Sequence, residues 1–367
     1  MAIAIRPQIL RMEPYAPGRP VEEVQREFGL DRVIKLASNE NPFGPSPRAI
    51  AAVTEAAARM HIYPDGASRA LRQAISQKFG VTDAHILLGN GSDELIHILG
   101  VMFLGEPGDE LIMGDPGFSR YDASAHLAGC RLVKVPLRAD LTHDLDAMLA
   151  AITPRTRMVF IANPNNPTGT VITRAEFDPF LARVPDGVVV VLDEAYGEYA
   201  ADAPDPVSAL DYVRSGAPVI GLRTFSKAYG LAGIRVGFGF APAEVVDAYH
   251  RAREPFNVNS LAQVAAIAAL EDEDHIAESV AHNHAGLQFL AEVFCAAEAH
   301  PYRSFANFAY ADLGRPAQPV FEALLRRGVI VRSGSHVGHP HCLRVSVGRM
   351  DELEIFATEF RQVLDLI

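Results

Sequence analysis

The sequence predicts an α/β protein in which a large domain, with a mostly parallel seven-stranded sheet between helices, is joined to a smaller α+β domain. Three observations predict this. From about residue 46 onward, helical periods alternate with short β-rich runs, the mark of a layered sheet. The segment VVVVL at 188–192 is apolar at every position and ends in charge at Asp193, as a central strand covered on both faces would. Helix starts are also marked: Ser46 precedes Pro47, and Thr173 stands three residues before Glu176 as in a capping box.

Taken in order, the strand candidates are His85 to Leu88, Glu110 to Met113, Leu132 to Val135, Arg157 to Ala162, Val188 to Leu192, Val219 to Leu222 and Ile234 to Phe240. These seven make one large sheet. A helix is expected from Pro242 to Arg253, broken by Pro255, with a second helix from Asn259 to Leu270. The break is read as a domain boundary. The organisation is then an arm plus part of the small domain at 1–45, a large domain at 46–254 and a small C-terminal domain at 255–367. The last of these is predicted to hold helices His275 to Ala297 and Pro319 to Arg327, with strands Asn307 to Asp312, Val329 to Val331 and Leu343 to Val347.

Composition narrows the function classes. With 49% hydrophobic and 21% charged residues in 367, the chain is an ordinary globular sequence. A net charge of −12 with scattered basic residues argues against nucleic acid or anionic membrane as partners. Cys130, Cys295 and Cys342 fit neither a disulfide framework nor a metal knuckle, so a reducing, cytoplasmic setting is expected. No apolar run reaches the roughly 18 residues of a membrane helix, and the amino-terminal apolar run is too short for a secretory signal.

Four lysines stand against 29 arginines, which makes each lysine worth separate inspection. Lys35, Lys78 and Lys134 sit in surface-like patterns. Lys227 does not: it follows a predicted strand end in TFSKAYGLAGIRVGF, among small residues and hydroxyls, with Arg235 eight positions on. Desolvation there would lower its pKa and make the amine a nucleophile toward carbonyls, which points to Schiff-base chemistry. Thr224, Ser226 and Arg235 could hold a phosphate beside it. A second anion site is suggested by GNGSDELIHIL, where a glycine turn opens a helix at Ser92 and Asp93. Asp193 at the end of the apolar run could be a satisfied buried carboxylate, a helix cap, or the partner of a protonated pyridine nitrogen. Asn166, in the turn NPNNPTG, and Tyr196 could each donate to a phenolic oxygen.

The ordered set ANPNNPTG, DEAY and TFSKAYGLAGIRVGF resembles the signature of fold-type I aminotransferases that use pyridoxal 5'-phosphate. SNENPFGPSP, YPDG, REPFNVNSLAQ and LRVSVG narrow the resemblance to histidinol-phosphate aminotransferases of histidine biosynthesis, over nearly the whole chain. The resemblance implies that Lys227 carries the cofactor and shuttles the substrate proton. It implies that Asp193 pairs with the ring nitrogen, that Asn166 and Tyr196 bind the phenolic oxygen, and that Phe118 stacks on the ring where the family usually has tyrosine. Ser92, Asp93, Thr224, Ser226 and Arg235 would surround the phosphate. Tyr63 would reach the cofactor of a second subunit, making the enzyme a homodimer with shared sites. Tyr15, Asn41, Arg332 and Arg344 would bind substrate, and no resident metal is implied.

The loop SGSHVGHPH departs from the family. His336, His339 and His341 could ligate zinc, but no cysteine or carboxylate pattern completes such a site, and a solvated loop is the favoured expectation. The reaction expected is amino transfer from L-histidinol phosphate to 2-oxoglutarate. Alternatives are an aromatic amino acid aminotransferase, a decarboxylase of phosphothreonine type, and a noncatalytic pyridoxal-binding regulator.

Overall fold

Short aliphatic runs separated by amphipathic helices can bury both faces of a strand only in a sheet sandwiched by helices. The structure, a computed structural model, describes residues 3–10, 12, 14, 18–106 and 108–367. Helices α1 (Pro7–Leu10) and α2 (Val21–Phe28) and the two-residue strand β1 (Ile34–Lys35) come first. Helices α3 (Pro47–Ala56) and α4 (Arg69–Phe79) lead to β2 (Ile86–Gly89) and α5 (Ser92–Phe103). Strand and helix then alternate through β3 (Glu110–Asp115), α6 (Ser119–Ala128), β4 (Arg131–Pro136), α7 (Leu145–Ala150), β5 (Thr156–Ala162), α8 (Arg174–Leu181), β6 (Val189–Asp193), α9 (Ala209–Arg214) and β7 (Val219–Thr224). Strand β8 (Gly237–Phe240) and helices α10 (Ala243–Ala252) and α11 (Ser260–Leu270) follow. The chain ends with α12 (Glu273–Ala296), β9 (His300–Tyr302), β10 (Phe308–Asp312), α13 (Ala317–Arg326), β11 (Val329–Ile330), β12 (Arg332–Ser333), β13 (Cys342–Ser346) and α14 (Met350–Leu366).

The large sheet has the order β2-β8-β7-β6-β5-β3-β4, and only β8 runs antiparallel to its neighbours. This is the seven-stranded, mostly parallel sheet that the patterning predicts. All five residues of β6 are buried. Along β5 the side chains alternate between two cores, Phe160 joining Leu95, Leu99 and Tyr249 on one face while Val159 and Ile161 join Phe177 and Val190 on the other. Both expected helix starts are formed: Ser46 Oγ accepts from the Ala49 amide at 3.2 Å, and Glu176 accepts from the Thr173 amide at 2.9 Å. The sheet's carboxyl edge, where Asp193 and Thr224 end β6 and β7, is therefore held from both faces.

A second, antiparallel sheet, β12-β13-β10-β9, is packed against α12, α13 and α14, while β1 pairs in parallel with β11. The structure differs from the sequence expectations at three places. Of Val329 to Val331, expected as one strand, only Val329 and Ile330 form β11, which pairs with β1, and β12 begins at Arg332 in the other sheet beside β13. The expected strand from Ile234 begins only at Gly237, because Ala232 to Ile234 form a single helical turn and Arg235 takes a left-handed backbone, φ 61°. Val24, Ile34 and Leu36, within the first forty residues, are buried against the small sheet's helices. Finally, α11 shares a core with Ala49, Leu71 and Phe238, so the break at Pro255 falls inside that core. We propose, on packing grounds, that the units divide near Asp272 and not at 254/255. Among the described residues no helix is long and apolar enough to cross a membrane.

The small unit's core depends on three phenylalanines. Phe294 is fully buried and meets Phe360 edge-on at 5.5 Å and Phe356 at 6.1 Å. Replacing Phe294 by alanine is expected to lower the unfolding free energy by about 3–5 kcal/mol, measured as an earlier urea midpoint. A wild-type midpoint would mean that the small unit does not limit stability.

Candidate active site

The carboxyl ends of β5, β6 and β7 bring the predicted chemistry into one cleft. Lys227 lies three residues beyond β7, in a turn anchored by the buried Phe225, Ala228 and Tyr229. Its half-buried amine donates to the backbone carbonyls of Ser38 and Asn39 at 3.3 and 3.2 Å and lies 5.7 Å from the Tyr196 ring centre. Burial, reinforced by the nearby Arg344 charge, brings its pKa down from 10.5 to about 8. An amine so placed is a better nucleophile and base at neutral pH than a surface lysine.

Asp193 ends β6 and is buried. One oxygen accepts from the Tyr121 hydroxyl at 2.7 Å and the other from the Ala195 amide at 3.1 Å. Burial raises its pKa from 3.8 to about 6, and the two hydrogen bonds only partly offset that. Among the described residues no basic side chain pairs with it within 4 Å. A buried carboxylate in this position fits a protonated ring nitrogen.

The anion site is equally well formed. Ser92 and Asp93 open α5, whose first amides have no partners within the helix. Arg235 donates to Asp93 at 3.2 Å and to Ser226 Oγ at 3.4 Å, and the Ser226 amide donates to Thr224 Oγ1 at 3.1 Å. Gly91 is required at the rim, because its φ is 77° and a Cβ there would lie 2.4 Å from the Arg235 guanidinium. At Gly237, a Cβ would lie 2.5 Å from the Ser92 amide nitrogen. A phosphate therefore fits a cradle that two glycines keep open. The left-handed backbone of Arg235 aims its side chain into the cradle, a local strain retained at a binding position.

Arg332 and Arg344 are directly opposed on β12 and β13. Arg344 donates to the Asn166 side-chain oxygen at 2.6 Å and to the Ala37 carbonyl at 2.8 Å, which brings the turn after β5 against the small sheet. The main chain at Gly18 lies beside the Arg332 guanidinium. Phe118 precedes α6 and meets Tyr121 edge-on at 5.7 Å. Tyr63 is 79% exposed and stacks on Phe256 at 4.9 Å. Tyr15 lies outside the described residues. Asn41 is buried, and its amide donates to the Ala228 carbonyl at 2.8 Å and Ser279 Oγ at 2.9 Å. We propose that it ties the Lys227 turn to α12 instead of touching substrate as expected. His336 sits on an exposed turn, and His339 Nδ1 lies 3.1 Å from the Tyr310 hydroxyl.

Sequence reasoning missed two site residues. Tyr121 stands three positions after Phe118, so one helical turn places both on a common face, a signal available in the spacing. Asn39 lies within SNENP, and asparagine is the residue most tolerant of a left-handed backbone after glycine. Its φ of 55° is visible only in the structure.

Residues 31–360 match the family Aminotransferase class I and II. The chain belongs to that class. It is 49% identical over 360 residues to the histidinol-phosphate aminotransferase of Moorella thermoacetica, covering 98% of this chain and 92% of that one. It is 45% identical to histidinol-phosphate aminotransferase 2 of Carboxydothermus hydrogenoformans, covering 99% and 100%. The crystal structure of the Sinorhizobium meliloti histidinol-phosphate aminotransferase in complex with pyridoxal-5'-phosphate superposes with a TM-score of 0.90 at 29% identity, covering 99% and 98%. Within the class, the chain belongs to the histidinol-phosphate aminotransferase family, and its fold is that of the fold-type I enzymes.

The raised pKa of Asp193 has a sign that can be measured. Its folded value, about 6, exceeds the unfolded 3.8, so this group adds no penalty below pH 3.8 and its full penalty above pH 6. Cofactor-free Asp193→Asn is therefore expected to melt above the cofactor-free wild type at pH 7.5. The advantage, on the order of 2–3 kcal/mol, should close as the pH approaches 4. A wild type more stable than the variant at both pH values would refute the desolvation argument.

Proposed function

We propose that this chain transfers the amino group of L-histidinol phosphate to 2-oxoglutarate, giving imidazole acetol phosphate and glutamate, with pyridoxal 5'-phosphate as cofactor. The observation that carries the reading is the convergence on one cleft of a depressed lysine amine and two directly opposed arginines, Arg332 and Arg344. Two guanidinium forks can receive a phosphate in one half-reaction and the carboxylates of glutamate in the other. The near-full-length likeness to histidinol-phosphate aminotransferases supports the same substrate pair.

When bound, the cofactor supplies an electron sink for the charge left when the substrate's α proton departs. The chain's own residues do the rest. Lys227 takes that proton and returns it, helped by a pKa near 8 that lets the amine act in either protonation state near neutrality. Asp193 would keep a proton on the ring nitrogen, and Asn166 and Tyr196 would hold the phenolic oxygen. Ser92, Asp93, Thr224, Ser226 and Arg235 would fix the phosphate, and Phe118 would pack on the ring. The positions of Arg344 beside Asn166 and of Arg332 beside the arm support their role in seating substrate.

We propose further that the enzyme is a cytoplasmic homodimer. The exposed Tyr63–Phe256 pair, with Met60 and Ile62 exposed nearby in sequence, supports burial by a second copy to whose phosphate site Tyr63 contributes. The three cysteines, all free, support a reducing compartment.

Three measurements check these readings. In single half-reactions, cofactor-loaded protein is expected to convert L-histidinol phosphate much faster than phenylalanine, with reversal by 2-oxoglutarate; the opposite preference would reassign Arg332 to aromatic side-chain chemistry. Lys227→Ala should abolish the visible absorbance of bound cofactor and activity together. When Lys227→Ala is mixed with Tyr63→Phe, heterodimers should regain part of the activity, and heterodimers without recovery would show that each site is built by one chain.

A further inference from the structure

Asn39 is an unusual residue for its place. It is 2% exposed, lies in a loop before α3, and holds a left-handed backbone at φ 55°, a conformation that side chains other than glycine rarely take. Four groups from distant parts of the chain converge on it. Its carbonyl accepts from the Lys227 amine at 3.2 Å and from Asn307 Nδ2 at 3.0 Å. Its backbone amide donates to Ser346 Oγ at 2.9 Å, and Ser346 Oγ donates back to its side-chain oxygen at 2.7 Å. Its side-chain amide donates to the Tyr196 hydroxyl oxygen at 3.0 Å.

The chemistry of these contacts is directional. Because Ser346 occupies the side-chain oxygen, the Asn39 amide group can present only N–H to Tyr196. A donor on the phenol oxygen turns the hydroxyl proton away from Asn39 and strengthens the phenol as a donor toward its far side. The carbonyl at the same residue gives the Lys227 amine a fixed acceptor when it is not bonded elsewhere. The left-handed backbone is what lets one residue aim its carbonyl at Lys227 and its side chain at Tyr196.

We propose that Asn39 is a positioning residue for the reaction, acting through Tyr196 and Lys227: it fixes the hydroxyl proton of Tyr196 toward the cofactor's phenolic oxygen and holds the lysine amine in its resting place. The proposal rests on the cofactor assignment given above. Since Ser346 ends β13 and Asn307 immediately precedes β10, the small sheet holds Asn39 in this setting.

The test reads the bound cofactor's visible absorbance against pH, in Asn39→Gly, Asn39→Asp and Ser346→Ala. Glycine keeps the left-handed backbone without strain and retains the carbonyl to Lys227, so it removes only the amide. Weakening the donor to the phenolic oxygen leaves that oxygen more basic. The absorbance midpoint is therefore expected to move up by about half a pH unit or more in Asn39→Gly, the effect of one ordinary hydrogen bond. Asn39→Asp, which offers Tyr196 an acceptor in place of a donor, should shift it at least as far, and Ser346→Ala less far in the same direction. A merely structural role would change melting temperature without moving the midpoint. A wild-type midpoint in folded Asn39→Gly and Asn39→Asp overturns the inference alone. Wild-type protein that takes up no cofactor at Lys227 would instead overturn the underlying assignment.

Discussion

A carboxylate that cannot reach water is the constraint around which the rest of this molecule is arranged. Asp193 closes a strand whose every residue is buried, and desolvating an ionised group is tolerable only if a cation or several donors answer it. The structure provides two donors, Tyr121 and Ala195, and the pKa near 6 shows that they answer it only in part. We propose that the ring nitrogen of the cofactor would answer the remainder. Tyr121 is in turn fixed by stacking on Phe160 at 4.3 Å, so the setting of Asp193 is transmitted into the sheet's own core.

Lysine and carboxylate form an opposed pair in this design. Burial pushes Lys227 toward its neutral form and Asp193 toward its protonated form, each away from the charge it would carry in water. The desolvation that makes the lysine reactive is the same that makes the aspartate receptive to a cation. An aminotransferase needs both, and one cleft between two sheets supplies both. The arginines at its other wall, opposed across β12 and β13, keep the cleft attractive to anions although the whole chain is acidic.

Much of this was legible in the sequence, for definite reasons. The seven-stranded sheet followed from short β-rich runs alternating with helical periods, and Lys227, Asp193, Asn166 and Arg235, each marked by a residue type that is chemically costly or conspicuous in its place, lie at strand ends and in the turns beside them. What escaped was what local pattern does not encode. Arg235 interrupts an otherwise strand-like run because its backbone is left-handed, and no periodicity carries that sign. The split of 329–333 between two sheets depends on β1, which lies nearly three hundred residues earlier. The role of α11 could not be read from the proline break before it, since its apolar face is matched to α3 and α4 only in three dimensions. Asn39 was invisible for the same reason: its four partners come from four separate parts of the chain.

The pairing of β1 with β11 has a further consequence for how the protein is made. Ile34 emerges from the ribosome about 295 residues before its partner Val329. At typical rates of roughly 5–20 residues per second, that strand waits on the order of 15–60 s with its edge unpaired. The large unit can complete its sheet during that interval, whereas the small unit must assemble around a segment synthesised first. Its two-residue length and its polar partner Lys35, ion-paired to Glu40 at 3.1 Å, suit a strand that spends this time exposed without recruiting other chains.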